Sequence, residues 1–137
     1  MSTDPQFHYL YVEDDPLSRE VMEMLLTQLI GVKSLITFDD STNFMPRVRA
    51  LNPTPDLILL DIHITPEDGY TLLNQLRSDA RFDTARIIAV TASVMVEEVR
   101  QLQSSGFDGA IAKPLDMTTF PTLIRRIQNG EAVWQIQ

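Results

Sequence analysis

Cysteine is absent from all 137 residues, which excludes disulfides, thiolate metal ligands and a cysteine nucleophile. Basic residues are scarce: 11 Lys and Arg stand against 19 Asp and Glu, for a formal net charge of −8. Such a surface repels phosphate backbones, so no nucleic-acid partner is expected. Short basic pairs such as Arg125-Arg126 read as a solvated helix face. No apolar run approaches the roughly 18 residues of a membrane span. The opening Met1-Ser2-Thr3-Asp4-Pro5 lacks the basic and apolar regions of a signal peptide. A cytoplasmic protein with no membrane partner is the expectation. Glycine is also sparse, and none of the 5 falls in a Gly-x-x-x-x-Gly-Lys segment, so P-loop nucleotide binding is not expected.

What is present is an ordinary globular composition, 44% hydrophobic and 22% charged, at a length suited to one domain over 1–137 with a real core. Short apolar runs alternate with helical spacing. Strands are predicted at about 8–13, 32–38, 56–61, 86–91 and 109–112. The first helix, at 16–30, opens with Asp15 as N-cap and Pro16 at its first position, and ends at Gly31. Leu17, Val21, Met24, Leu25 and Leu29 would form its buried stripe. A weaker helix at 43–51 carries Phe44, Val48 and Leu51. A third begins at Gly69 with Leu72, Leu73 and Leu76 inward. A fourth, capped by Ser93, places Met95, Val99 and Leu102 on one face. A fifth near Thr119 buries Phe120, Leu123, Ile124 and Ile127. Residues 130–137 read as a tail beyond a core of about 7–128. Five strands alternating with five helices predict an α/β fold: a doubly wound, five-stranded parallel sheet, covered on both faces.

Charged groups fall where strands end. Glu13 and Asp14 follow Tyr9-Leu10-Tyr11-Val12, Asp61 follows Leu57-Ile58-Leu59-Leu60, and Lys113 follows Ala110-Ile111-Ala112. Strand interiors exclude unpaired charge, whereas strand ends of an open α/β sheet border a ligand crevice. With strand order 2-1-3-4-5, strands one and three adjoin at the switch point, which brings Glu13, Asp14 and Asp61 together. Acids so gathered repel unless a cation or a shared proton joins them.

Val12-Glu13-Asp14-Asp15-Pro16, Leu59-Leu60-Asp61 with Asp68-Gly69, Val90-Thr91-Ala92 and Lys113-Pro114 occur in this order at the ends of successive strands. On these segments the chain resembles the response-regulator receiver domain of two-component signalling, of the single-domain chemotaxis-regulator type, over about 7–128. The resemblance implies a flavodoxin-like (βα)5 fold in which Asp61 accepts a phosphoryl group. Glu13, Asp14, Asp61 and the backbone carbonyl of His63 would hold Mg²⁺ or Mn²⁺. Thr91, Ala92 and Lys113 would contact the phosphoryl oxygens and switch with them, and the Lys113–Pro114 peptide would be cis. His63 and Ser93 would border the phosphoryl group and modulate its hydrolysis, with an exposed loop side chain the plain reading of His63. A histidine kinase or histidine phosphotransfer protein would be the donor, docking near the first helix, and an unknown downstream protein the target. The chemistry is coherent by itself: a carboxylate approaching a phosphoryl anion needs a cation to screen both, and Lys113 offsets the remaining charge.

Two positions depart from the family. Thr65 stands where proline is usual, with Pro66 one residue later, so a reshaped loop is expected. Ala110 stands where the family carries Tyr or Phe, which removes the ring that ordinarily moves with the threonine; Phe107 is the nearest substitute by sequence. The expected function is a stand-alone phosphoryl-accepting switch with protein–protein output, not an enzyme except toward its own phosphorylation and dephosphorylation. One alternative is a receiver-like module that signals without phosphorylation. Another is an aspartate-nucleophile phosphohydrolase, faintly suggested by Asp61-Ile62-His63-Ile64-Thr65. His8, Asp39 and Asp40 read as edge and loop residues, Asp15 as a cap with at most a minor share of the metal site, and the methionines as core filling.

Overall fold

A computed structural model describes residues 7–92 and 95–135. Six parallel strands form one sheet, ordered β2-β1-β3-β4-β5-β6. They are β1 (His8–Val12), β2 (Ser34–Phe38), β3 (Leu57–Asp61), β4 (Arg86–Thr91), β5 (Gly109–Ala112) and β6 (Val133–Gln135). The helices are α1 (Pro16–Glu23, continuing as a π-helical segment Met24–Ile30), α2 (Phe44–Arg49), α3 (Gly69–Arg77), α4 (Val96–Ser104) and α5 (Phe120–Gln128). No helix among the described residues is long and apolar enough to cross a membrane.

The sheet divides the core because successive strand residues point to opposite faces. Leu10, Val12, Ile58, Leu60, Ile87 and Ala89 pack with Leu72, Leu73, Leu76 and Leu102 on the α2–α3–α4 side. Tyr9, Tyr11, Leu57, Leu59, Ile88 and Val90 pack with Met22, Leu25, Leu26, Leu123 and Ile127 on the α1–α5 side. Every residue of β3 is buried, as its continuous apolar run implies for a central parallel strand. Asp15 caps α1 as expected, accepting from the Ser18 amide at 3.0 Å, and Gly31 ends the helix at φ +93°.

Three expectations are corrected. The predicted five-strand sheet has a sixth member, because Val133–Gln135 lies beside β5 instead of trailing off as a tail. Gly109 permits this: a Cβ there would fall 2.3 Å from the Val133 carbonyl oxygen. Second, the apolar stripe assigned to the interior of α1 mostly faces outward. Leu17 is 66%, Met24 41% and Leu29 48% exposed, while Met22, Leu25 and Leu26 are buried. The π-helical turns widen the period after Glu23, and apolar residues line both sides of this helix, so a 3.6-residue spacing selects the wrong face. Third, Met95 is exposed, and with Met24 and Met117 it shows that core filling accounts for only some methionines. The cap assigned to Ser93 lies outside the described residues.

Candidate functional site

The carboxyl rim of the sheet assembles itself from register. Val12 is opposite Leu60 and Asp61 opposite Val90, while Thr91 is opposite Ala112. One step beyond these pairs puts Glu13 beside Asp61 and Lys113 beside Ala92. The Glu13 amide still donates to the Phe38 carbonyl at 3.0 Å, so the strand geometry persists as the side chain reaches the rim. Ligand oxygens from Glu13, Asp14 and Asp61 all lie within 4.8 Å of one another.

Glu13 is fully buried and heavily ligated. Its Oε1 accepts from the Tyr11 hydroxyl at 2.8 Å and from Lys113 Nζ at 2.9 Å. Its Oε2 accepts from the Asp15 amide at 3.2 Å. Arg19 donates to the Glu13 carbonyl at 2.8 Å, which holds the β1–α1 turn. Asp61 Oδ1 accepts from the His63 amide at 3.1 Å, and Lys113 Nζ stands 3.8 Å from Asp61 Oδ2. Asp14 is exposed, the open side of the cluster. Gly69 lets α3 begin directly under this rim: a Cβ would meet the Asp61 carbonyl oxygen at 2.9 Å.

These contacts set the charges. Burial pushes the Asp61 carboxyl up, and the neighbouring Glu13 pushes it further, to about 6. Burial also works against the charge on Glu13. Hydrogen bonds from Asp61, Lys113, Tyr11 and the Asp15 amide overcome that and hold it below its ordinary value. Burial opposes the charge on Lys113 as well, but Glu13 and Asp61 more than offset it, and its pKa is raised. Burial and the Glu13 charge raise Tyr11 far above its ordinary value, so its hydroxyl remains a donor. Three carboxylates thus face a single ammonium, and Asp61 is the acid kept from full ionisation. Hard oxygen donors clustered in surplus over Lys113 suit a divalent ion such as Mg²⁺ or Mn²⁺.

Thr91 ends β4 fully buried, and its carbonyl accepts from the Lys113 amide at 2.8 Å. Ala92 is exposed at the rim, and the Lys113–Pro114 peptide is cis. His63 is exposed in the turn after Asp61. Ser93 lies outside the described residues. A cavity of about 380 Å³ opens beside Lys113, walled largely by Leu17, Val21, Ala92, Pro114 and Leu115. Ala110 is fully buried, in register with Trp134 of β6. Phe107 stacks edge-on against Tyr70 at 6.0 Å and packs as a core residue. His8, read from the sequence as an edge residue, instead opens the interior strand β1 and holds Ser34 of β2 at 2.7 Å, and Asp40 pairs with Arg47 at 3.0 Å. In the loop after Asp61 the Thr65–Pro66 peptide is also cis.

Tyr11 was hidden in an apolar run, although its placement two residues before Glu13 puts both side chains on one face of the strand. Arg19 carried no signal beyond helix position. Ser41, which ties two loops together, looked like any loop serine.

A sheet of this order with an acidic rim is that of a flavodoxin-like receiver fold, and the sequence agrees: the chain belongs to the response regulator receiver domain family, whose profile matches residues 9–125. Among its relatives is the probable C4-dicarboxylate response regulator DctR of Halalkalibacterium halodurans, 30% identical over 135 residues, 93% of this chain and 57% of that protein. Another is a nitrate/nitrite response regulator protein homolog of Haemophilus influenzae, 29% identical over 132 residues, 90% of this chain and 58% of that protein. The chain therefore spans less than two thirds of these relatives. Among solved structures, the receiver domain of sensor histidine kinase PA1611 from Pseudomonas aeruginosa PAO1, with a magnesium ion in its active site cleft, superposes at TM-score 0.76. It is 22% identical, and the match covers 91% of this chain and 98% of that one, which shows the shared fold.

Proposed function

We propose that the protein is a signalling switch whose Asp61 accepts a phosphoryl group in a divalent-cation-dependent reaction. The observation that carries this reading is the convergence of Glu13, Asp14 and Asp61 within 4.8 Å, bridged on one side by Lys113. A purely structural module has no use for three acids at one rim, two of them buried.

In this reading Glu13, Asp14, Asp61 and the His63 carbonyl hold Mg²⁺ or Mn²⁺. A cation held there would supply the positive charge that screens the carboxylates from an incoming phosphoryl group. Asp61 attacks phosphorus, and an acyl phosphate forms as the bond to the donor breaks. Lys113 moves its ammonium from Glu13 and Asp61 toward the phosphoryl oxygens, and Thr91 donates its hydroxyl to them; positioning and charge supply most of the rate. The new charge and acceptor oxygens then draw the β4–α4 segment toward the site. The donor is a histidine kinase or histidine phosphotransfer protein, and output is through protein contacts.

Incubation with acetyl phosphate and Mg²⁺, read by intact mass, tests this. A gain of one phosphoryl group is expected, and no gain when Mg²⁺ is chelated before the donor is added. An unchanged mass would favour a module that signals without phosphorylation.

A further inference from the structure

Between Asp61 and α3 the chain runs through a loop, 62–68, that carries His63 against the carboxylate. Its inner side is plugged by Ile62 and Ile64, both buried, and its ends are joined by the Gly69 amide donating to the Ile62 carbonyl at 2.9 Å. Its middle, Thr65-Pro66-Glu67, is exposed in its side chains and has no helix or strand to satisfy its peptide groups. Ser41, from the β2–α2 loop, meets them. The Ser41 hydroxyl donates to the Glu67 carbonyl at 2.8 Å and accepts from the Glu67 amide at 2.7 Å. The Ser41 amide donates to the Thr65 carbonyl at 3.0 Å. Pro66 offers no amide hydrogen. Ser41 is 2% exposed, so water cannot replace these bonds at little cost.

We infer that Ser41 is a positioning residue for the phosphoryl-accepting site: it fixes the shape of loop 62–68, and through the His63 amide the orientation of Asp61 and the affinity of the cluster for a divalent cation. The inference rests on the proposed function, because it concerns the same cation. A serine is suited to the position. One small hydroxyl donates and accepts toward the same residue, which alanine cannot do. With Ile62 and Ile64 anchored and Ser41 stapled, His63 is left at the apex with little freedom, its amide 3.1 Å from Asp61 Oδ1. Loss of the staple would leave the apolar plugs in place and let the apex relax. The expected consequence is weaker cation binding with the chemical step intact once the cation is saturating.

Calorimetric Mg²⁺ titrations of wild type, Ser41→Ala, Ser41→Thr and Asp108→Asn, with acetyl-phosphate labelling rates across Mg²⁺ concentration, test this. Asp108 lies at the opposite end of the sheet, so its variant controls for general destabilisation. Ser41→Ala should bind Mg²⁺ about 3- to 10-fold more weakly and label at the wild-type rate at saturation. Ser41→Thr should recover much of the affinity, and Asp108→Asn should match wild type. Equal Mg²⁺ affinity in wild type and Ser41→Ala would overturn the role of Ser41 alone, as would equal weakening in Asp108→Asn. A wild-type protein that neither binds Mg²⁺ nor labels would overturn the function as well.

Discussion

The two rims of the sheet treat charge in opposite ways. At the amino rim several charges are paired one to one or held by a backbone amide. Arg77 meets Asp108 at 2.6 Å, and Asp108 also accepts from the Ile87 amide at 2.8 Å. Arg49 meets Asp79 at 2.8 Å, and the Asp56 carboxylate accepts from the His8 amide at 2.8 Å. At the carboxyl rim three acids crowd one lysine. Paired charges hold elements together, whereas an unbalanced cluster costs stability and favours any cation that can join it. The amino rim spends its charges on the fold, whereas the carboxyl rim keeps the surplus that the proposed cation would use.

The sharpest way to separate them is to remove one acid from each. Asp61→Asn should abolish phosphoryl acceptance completely, yet raise metal-free stability at pH 7 by about 2 kcal/mol, because it relieves a buried like-charge contact. Asp108→Ala should do the reverse. It should lose about 3 kcal/mol in denaturant unfolding, because it strands the Ile87 amide and takes from Arg77 its carboxylate partner, while labelling continues.

pH dependence sharpens the contrast further. The Asp61 carboxyl is raised to about 6 in the folded protein, so the proton it holds stabilises the fold fully below the unfolded value near 3.8. That contribution is lost as pH rises through about 6. Glu13, held low, works in the opposite sense and reduces the net change. Metal-free protein should therefore lose about 2 kcal/mol between pH 4 and pH 7, and saturating Mg²⁺ should flatten the profile. Thermal melts across pH, with and without the cation, measure this.

The smallest effect is expected at the sheet edge, away from both rims. Gly109→Ala should push β6 off β5 at a cost of about 1–2 kcal/mol in lost burial of Val133 and Trp134. It should shift the emission of the single tryptophan and leave labelling unchanged.

The site was more legible in the sequence than parts of the fold were. Glu13, Asp14, Asp61 and Lys113 stand out because charge at the end of an apolar run has few structural uses, and parallel register then brings them together. The outward face of α1 was not legible, since apolar residues line both sides of this helix: Leu17, Met24 and Leu29 fit a helical period, and the π-helical turns shift that period after Glu23. β6 was missed because three residues after Gly130 make too short a signal, and its partner's need for Gly109 appears only when the strands meet. Tyr11 and Ser41 act through single hydroxyls, whose partners depend on tertiary approach. Ala110 was legible as a departure from the family. Its neighbour Trp134 was not, because β6 itself was unseen.

In the proposed switch Asp61, and no other carboxylate of the acidic rim, becomes an acyl phosphate. Borohydride reduces an acyl phosphate but not a free carboxylate, so protein treated with acetyl phosphate and Mg²⁺, reduced and mapped by peptide mass should carry homoserine in place of Asp61. Reduction at Glu13 or Asp14, or none anywhere, would contradict the account.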